Sequence, residues 1–202
     1  MNDFFKTIAK PAQGFFKDKG SKFYSFAFPV ENEDEITKLQ KELRKKYYDA
    51  RHHCYAFMLG NEKKNFRASD DGEPANSSGQ PILGQIRSYD LTNVLIVVIR
   101  YFGGTKLGIP GLINAYKTAS ADALNNAEII EKTVDDIIDF QFTYPEMSIV
   151  MRIIKEEDLK ILNQDFQEIC KISVTVRKSL TSIVIQKLSN YQNQQNIKYK
   201  II

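Results

Sequence analysis

One segment limits the possible folds of this chain more than any other. Residues 93–102 read NVLIVVIRYF, in which apolar side chains, many of them β-branched, occupy both alternating sets of positions. A strand that is buried on one face carries polar residues at every second position, so this run predicts a strand covered on both faces. Its purely apolar part, Val94–Ile99, has six residues, whereas a membrane-spanning helix needs about 20. The sequence therefore predicts a central strand in a layered domain and no transmembrane helix.

Composition and charge narrow the class of protein. With 202 residues, 43% hydrophobic and 26% charged, the chain is expected to fold into one ordinary domain or two small ones. The net charge of +3 is too small for a protein that coats DNA or RNA by electrostatic attraction alone. Cys54 and Cys170 lie far apart and form no C-x-x-C motif, which suits a reducing compartment. We therefore expect a cytoplasmic protein without a membrane partner.

Periodicity gives the order of elements in the first part of the chain. It predicts a strand over residues 22–30, a helix over 33–48, strands over 51–59 and near Phe66, and a short helix over 81–89. The central strand over 93–102 and an alanine-rich helix over 112–127 follow. Two segments interrupt this order, the polar loop 69–80 and the glycine-rich loop 103–111.

The last third of the chain has no glycine-rich or long polar loop. Residues 134–202 predict the order β-α-β-β-α-β, which is that of the ferredoxin-like split βαβ. We therefore expect an α+β protein with two domains, residues 1–138 and residues 139–202.

The glycine-rich loop offers a place for an anion. Residues 100–111 read RYFGGTKLGIPG, which predicts a strand end, a flexible connection and the start of a helix. Backbone amides, the positive end of the helix and Lys106 can together hold a phosphate or a carboxylate. The segment is neither a P-loop nor a G-x-G-x-x-G motif, so no nucleotide cofactor is predicted. In the alternative interpretation, Gly103 and Gly104 only permit a sharp turn.

The polar loop, SDDGEPANSSGQ, brings acidic residues together. Its spacing does not match an EF-hand, and no metal is predicted. His52 and His53 are the only histidines, and adjacent residues on a strand point to opposite faces, so both cannot reach one metal. The catalytic alternative uses Asp70 or Asp71 as a base and His53 as an acid, without a defined Ser or Cys nucleophile.

Four segments together resemble the YigZ/IMPACT family. They are Lys22-Phe23, residues 50–56 (ARHHCYA), residues 69–74 (SDDGEP) with 79–83 (GQPIL), and residues 100–108 (RYFGGTKLG). The resemblance covers residues 15–125 most strongly. This chain departs from the family pattern at residues 77–79, which read Ser-Ser-Gly where many members have Thr-Ala-Gly, and at Asn114, where many members have an arginine.

The resemblance implies both a fold and a role. It implies a first domain similar to the second domain of ribosomal protein S5 and a second domain similar to the C-terminal domain of elongation factor G. It also implies a regulator linked to translation or RNA, without an established reaction.

We therefore expect binding rather than catalysis, in a groove of the N-terminal domain that accepts RNA or another anionic ligand. Two alternatives stay open: a hydrolase or transferase acting on a phosphorylated small molecule, and a module that binds the ribosome or a translation factor through the C-terminal sheet. The residues expected to bind the ligand are His53, Arg67, Ser69, Asp70, Asp71, Glu73, Arg100, Tyr101, Gly103, Gly104, Lys106, Gly108 and Asn114.

Overall fold

A computed structural model describes residues 3–191 and 197–202 of the chain. It contains two compact units, divided between Lys132 and Thr133. The N-terminal unit is Phe5–Lys132, and Asp3 and Phe4 belong with the C-terminal unit, Thr133–Ile202. Both units combine helices with antiparallel sheets, which confirms the predicted α+β class.

The elements up to residue 133 build two sheets and three helices. They are β1 (Phe4–Ile8), β2 (Ala12–Asp18), β3 (Ser21–Pro29), α1 (Glu33–Lys46), β4 (His52–Leu59), β5 (Asn65–Ser69), α2 (Gly79–Ser88), β6 (Val94–Tyr101), α3 (Gly108–Asn125) and β7 (Ile129–Thr133). The main sheet has five antiparallel strands in the order β2-β3-β6-β4-β5, and β1 pairs with β7 in a separate sheet of two strands.

Strand β6 occupies the centre of the main sheet, with β3 on one side and β4 on the other. Ile96 and Val98 pack in the core formed with α2 and α3, whereas Leu95 and Val97 pack in the core that includes α1. Each of these four side chains is at most 1% exposed. The predicted burial of this strand on both faces is therefore confirmed, and it produces a layer of helices on each side of the sheet.

Helix α1 begins and ends with the residues that its charge pattern favours. The Asn32 side chain accepts a hydrogen bond from the Glu35 backbone N–H (2.9 Å), and Glu35 accepts one from the Glu31 N–H (2.9 Å). The first bond satisfies an N–H that the first turn leaves free, and the second ties the residue before the N-cap to the same turn. Three basic residues, Arg44–Lys46, fill the last turn, where they interact favourably with the helix dipole. The helix thereby delivers a basic cluster beside the start of β4.

The C-terminal unit has the predicted β-α-β-β-α-β order. Its elements are β8 (Asp135–Phe142), a 3₁₀ turn (Tyr144–Glu146), α4 (Met147–Glu156), β9 (Lys160–Phe166), β10 (Cys170–Arg177), α5 (Lys178–Tyr191) and β11 (Lys198–Ile201). The four strands pair antiparallel in the order β11-β8-β10-β9. Alternate residues of β8 and β10, such as Phe140 and Val174, form the core with the two helices.

Some boundaries differ from those that the sequence predicts. The expected domain boundary after residue 138 falls inside β8, because that strand runs without interruption from Asp135 to Phe142. Helices α2 and α3 begin at Gly79 and Gly108, a few residues earlier than predicted, since a glycine occupies the first turn of each. Strands β1, β2 and β7 were not predicted. Among the described residues, none of the helices has the length and hydropathy required to span a membrane.

Two adjacent glycines after β6 allow a test of how tightly this loop is packed. A Cβ atom at Gly103 would lie 1.9 Å from the carbonyl carbon of Gly20, whereas Gly104 faces open space with φ of +89°. We expect Gly103→Ala to cost on the order of 3 kcal/mol through steric overlap and Gly104→Ala about 1–2 kcal/mol through its backbone conformation. Urea unfolding measures both values.

The control for this pair is Gly84→Ala. Gly84 lies within α2 with nothing within 4 Å of a built Cβ, so alanine there should stabilise the protein by up to about 1 kcal/mol. Equal losses at positions 103 and 104 would contradict the close approach of the two loops.

Candidate functional site

The candidate site is built on the neighbouring ends of β4 and β6. Arg100, near the end of β6, pairs in register with His52 at the start of β4 and with Phe23 of β3. Residues paired in this way project from the same face of the sheet, with Cβ atoms about 5 Å apart. Phe23 belongs to the core formed with α2 and α3. His52 and Arg100 therefore lie on that face as well.

Arg100 forms a buried ion pair with Glu73, which belongs to the loop before α2. The Arg100 Nη1 atom donates to Glu73 Oε1 over 2.7 Å, and the Tyr116 hydroxyl of α3 donates to the same oxygen over 2.7 Å. The side chains of Arg100 and Glu73 are 8% and 4% exposed. The pair joins the end of β6, the polar loop and α3 into one hydrogen-bonded cluster.

Cys54 lies beside this cluster as a fully buried thiol. Its Sγ donates to the Asp70 carbonyl oxygen over 2.9 Å and lies 3.4 Å from the Tyr116 hydroxyl. Burial raises the pKa of Cys54 to about 12, so the thiol stays protonated at neutral pH. Burial also raises the pKa of Tyr116 far above its ordinary value. Both groups serve as hydrogen-bonding members of the core.

The Asp70 carboxylate accepts four hydrogen bonds from residues at and just before the start of α2. Its Oδ1 accepts from the Ser78 N–H (3.0 Å), the Ser78 hydroxyl (2.7 Å) and the Gly79 N–H (2.8 Å), and its Oδ2 accepts from the Asn76 N–H (2.8 Å). Burial alone would raise the pKa of Asp70, but these four bonds outweigh it and lower the pKa. Asp70 therefore closes the polar loop onto the helix and stays ionised.

Asp71 ties the polar loop to two other elements. Its Oδ1 accepts from Arg44 of α1 over 2.7 Å, and its Oδ2 accepts from the His53 backbone N–H over 2.6 Å. Its own carbonyl oxygen lies 2.9 Å from His52 Nδ1. Within the part of the chain that the structure describes, no group of three His, Cys, Asp or Glu side chains is arranged to hold a metal.

The His53 backbone contacts Asp71, but the His53 ring lies apart from Arg100 and Glu73. His53 pairs with Ile99, so its ring lies on the α1 side of the sheet, opposite to Arg100 and Glu73. The residue is 5% exposed, and neither ring nitrogen has a hydrogen-bond partner of acceptable geometry. The enzyme alternative, with His53 as the acid and Asp70 or Asp71 as the base, therefore lacks a hydrogen bond between the His53 ring and either carboxylate.

The remaining predicted residues fall into separate groups. Arg67 pairs with Phe57 and so lies on the α1 side of edge strand β5, and Ser69 ends that strand with its backbone against Gly79. Gly103 packs on the Gly20–Ser21 turn, and its N–H donates to the Ser21 hydroxyl over 3.2 Å. Gly104, Lys106 and Gly108 are exposed around the start of α3, and Asn114 is exposed farther along the same helix.

Two neighbouring clefts lie at the ends of these strands. The strand-end cleft, about 410 Å³, is lined by Asp49, Ala50, Arg51, His52, Arg100, Tyr101 and Phe102. The aromatic cleft, about 330 Å³, is lined by Gly20, Lys22, Tyr24, Tyr47, Tyr101 and Phe102. Tyr101 and Phe102 line both clefts, so the two clefts adjoin. We refer to them together as the paired clefts.

The paired clefts contain residues that the sequence-based prediction left out. Asp49, Arg51 and His52 come from one side, and Lys22, Tyr24 and Tyr47 from the other. Alternation along β4 separates the two histidines, but it does not tell which of them shares a face with Arg100. The aromatic members come from β3, the end of α1 and β6, which only the tertiary fold brings together.

Comparison with known proteins identifies the family. The profile of the Impact N-terminal domain matches residues 19–124, which is more than half of the chain. This chain belongs to the IMPACT family. The IMPACT family member YigZ of Escherichia coli (strain K12) is 29% identical over 175 residues, which cover 86% of each chain. The "IMPACT family member in pol 5'region" of Thermus thermophilus is 34% identical over 140 residues, 69% of this chain and 75% of that protein.

A solved structure extends the likeness to the whole chain. A crystal structure of a hypothetical protein superposes with a TM-score of 0.74 and 26% sequence identity, covering 98% of this chain and 97% of the other. The match to the IMPACT profile ends at Leu124, within α3, so it includes every residue of the paired clefts. The C-terminal unit lies outside that profile and is covered by the full-length likeness.

The buried ion pair of this IMPACT protein should dominate local stability. We expect Glu73→Gln to destabilise the fold by about 3 kcal/mol, because it leaves the Arg100 charge buried without its partner. The double variant Glu73→Gln/Arg100→Met should recover part of this loss, and urea unfolding of the singles and the double gives the coupling. The control is Glu128→Gln in the exposed Lys10–Glu128 pair, with an expected change below about 0.5 kcal/mol. Additive losses at residues 73 and 100 would contradict the pairing.

His53 should make the stability depend on pH. Burial lowers the pKa of His53 below 6.5, and the charges of nearby Arg44 and His52 lower it further. Asp71 and the Tyr47 backbone raise this pKa, but their influence is smaller. Below pH 6.5 the unfolded chain therefore binds a proton at His53 more readily than the folded chain does. The free energy of unfolding consequently falls as pH decreases through this range. We expect the thermal midpoint of His53→Leu to fall less than that of the wild type between about pH 7 and 5. Identical pH profiles would refute this assignment.

Proposed function

We propose that the N-terminal unit binds single-stranded RNA at the paired clefts and that this binding serves a translation-linked regulatory role. Membership of the IMPACT family supports the translation-linked role. The ligand class is supported chiefly by one observation, the aromatic pair Tyr101 and Phe102 at the junction of two clefts that also contain cations. Phe102 is 58% exposed, although its ring is large and apolar.

Aromatic rings beside cations are typical of proteins that bind unpaired bases. Each base stacked on an aromatic side chain contributes about 1–3 kcal/mol, with little dependence on sequence. Tyr24 lies 6.0 Å from Tyr101 and 6.3 Å from Tyr47 between ring centroids, so a row of three rings runs through the aromatic cleft. This row offers more than one stacking position to a single strand.

The cations around the clefts fit the phosphates between those bases. Lys22 and Arg51 line the clefts and are exposed, and the Lys46 ammonium lies 5.4 Å from the Tyr47 ring centroid. Three phosphate contacts on a single strand give a salt dependence of log Kd with a slope of about 2, since each contact contributes about 0.7. This shallow slope agrees with the small net charge of the chain.

Asp49 supports RNA rather than DNA as the ligand. Its Oδ1 accepts from the Tyr101 hydroxyl over 2.7 Å, which fixes a carboxylate in the strand-end cleft. A carboxylate repels phosphate but accepts a hydrogen bond from a ribose 2′-hydroxyl, which DNA lacks. We therefore expect Asp49 to contribute to the preference for ribose.

The other readings have less support from the geometry. The carboxylates of Asp70 and Asp71 are engaged in loop closure, so the hydrolase or transferase alternative lacks a free base among its proposed residues. A module that binds the ribosome or a translation factor stays possible for the C-terminal unit. The strand order β11-β8-β10-β9 supports the proposed likeness of that unit to ferredoxin-like domains and to the C-terminal domain of elongation factor G. The likeness of the N-terminal unit to the second domain of ribosomal protein S5 is proposed on the family resemblance.

Fluorescence anisotropy with a short single-stranded RNA across a salt series tests the proposal. Phe102→Ala should weaken binding about tenfold, because it removes one stacking surface. Arg51→Ala and Lys22→Ala should each lower the salt slope by about 0.7, because each removes one phosphate contact at the clefts. DNA of the same sequence should bind more weakly than RNA, and Asp49→Asn should reduce that difference.

Phe66→Ala is the matched control for the stacking variant. Phe66 is 47% exposed on edge strand β5 and lies outside both clefts, so its removal should leave the affinity unchanged. No binding by the wild type at low salt would overturn the proposal. Binding that is insensitive to Phe102→Ala and Arg51→Ala but lost on Lys198→Glu would favour the C-terminal sheet instead.

A further inference from the structure

The inner end of the strand-end cleft has a chemistry that RNA stacking does not use. His52 and Arg100 are directly opposite each other on neighbouring strands, and both line this cleft. Each has one nitrogen fixed by the surrounding fold, so the orientation of both groups is determined before a ligand arrives.

Arg100 presents only part of its guanidinium to the cleft. Nη1 donates to Glu73, and Nε is buried without a hydrogen-bond partner. This leaves Nη2 as the nitrogen that can reach a ligand. The residue is 7% exposed as a whole, so a partner must bring a narrow, charged group down to it. The Phe23 and Phe102 rings, with centroids 5.6 and 5.7 Å from the guanidinium carbon, limit movement of that group.

His52 is fixed in one tautomer. Its Nδ1 lies 2.9 Å from the Asp71 carbonyl oxygen, which can only accept a hydrogen bond. Nδ1 therefore carries the proton, and Nε2 is the atom available to a ligand. Nε2 accepts a hydrogen bond from a ligand when the ring is neutral and donates one when the ring is protonated.

We propose that this end of the cleft binds a terminal phosphomonoester of RNA. The inference rests on the proposed RNA-binding function and names the part of the RNA that enters the strand-end cleft. A terminal phosphate projects from the chain as a narrow group and can reach the recessed Arg100, whereas an internal phosphodiester is flanked by nucleosides on both sides.

The second reason concerns protons. A phosphomonoester has a second pKa of about 6, so near neutrality it exists both with and without a proton. The protonated monoester can donate a hydrogen bond to His52 Nε2 while its other oxygens accept from Arg100. A phosphodiester has no such proton and can only accept. The His52–Arg100 pair therefore favours a terminal phosphate over the internal phosphates of the same chain.

Asp49 determines how the RNA terminus is oriented in the strand-end cleft. Its carboxylate is held by Tyr101 in the same cleft and repels phosphate. The terminal phosphate consequently lies at the His52–Arg100 end, the ribose lies towards Asp49, and the first base stacks on Phe102.

The experiment compares RNAs of one sequence that carry an internal fluorophore and differ only at their ends. The ends are a 5′-phosphate, a 3′-phosphate, hydroxyl groups only, and a 5′-phosphate blocked as its methyl ester. We expect one of the two phosphorylated RNAs to bind at least about tenfold more tightly than the hydroxyl form. If the favoured end is the 5′ end, the methyl ester should bind like the hydroxyl form.

The variants assign this preference to the proposed residues. His52→Ala should remove the preference for phosphate, so that phosphorylated and hydroxyl-ended RNAs bind the variant with equal affinity. His53→Ala is the matched control, because the adjacent histidine lies on the opposite face of the sheet, and the preference should persist. Arg100→Lys, used only if its thermal melt shows a folded protein, should reduce the preference as well.

The outcomes separate this inference from the proposed function. Hydroxyl-ended RNA that binds as tightly as both phosphorylated forms, with its dependence on Phe102 intact, would overturn the inference and leave the RNA-binding proposal standing. A phosphate preference that survives His52→Ala would also overturn it. Absence of binding by every RNA would overturn both.

Discussion

Strand β6 runs through the middle of the N-terminal unit with both of its faces buried, and its next-to-last residue, Arg100, is charged. The apolar part requires a helical layer on each side of the sheet, which α1 on one face and α2 with α3 on the other supply. Arg100, on the same strand, is buried too and needs a counter-charge. Glu73 provides it, and Tyr116 fixes the Glu73 carboxylate. The position of the polar loop over the sheet follows from this pair.

The polar loop shows why acidic residues in a turn-rich segment need not be catalytic. Asp70, Asp71 and Glu73 each accept hydrogen bonds from at least two groups of the protein. They connect the loop to α2, α1 and β6, respectively. A loop without regular secondary structure has many unpaired backbone N–H groups, and carboxylates are strong acceptors for them. The same residues therefore stabilise the platform on which the clefts are built.

The paired clefts arise where that platform ends. Strand β4 begins where β6 ends, and helix α1 brings its basic last turn and Tyr47 to the same end of the sheet. Rings and cations from three elements consequently surround a concave surface, while the acid groups of the loop remain engaged beneath it. The buried polar cluster therefore holds the cleft residues in position, and the exposed aromatic and basic residues are the ones that contact a ligand. His52 belongs to both, because its Nδ1 contacts the loop and its ring lines the strand-end cleft.

Much of the fold could be predicted because it depends on local patterns. The double apolar run identified β6, the charge gradient and spacing identified α1, and alternating residues identified the β-α-β-β-α-β order of the C-terminal unit. Strand β2 was missed because it lies at the edge of the sheet, where alternate residues are exposed and the apolar pattern is weak.

The site depended on information that local patterns do not contain. Alternation along β4 showed that His52 and His53 face opposite ways, but only the strand order β3-β6-β4 decided which of them lies beside Arg100. Glu73 and Tyr116 are 43 residues apart, and Tyr24 and Tyr101 meet across paired strands. Side-chain periodicity is determined by the few residues around each position, whereas neighbours across a sheet are selected by burial of the whole core. The sequence by itself thus determined the elements and their buried faces, and the tertiary structure decided which side chains share a cleft.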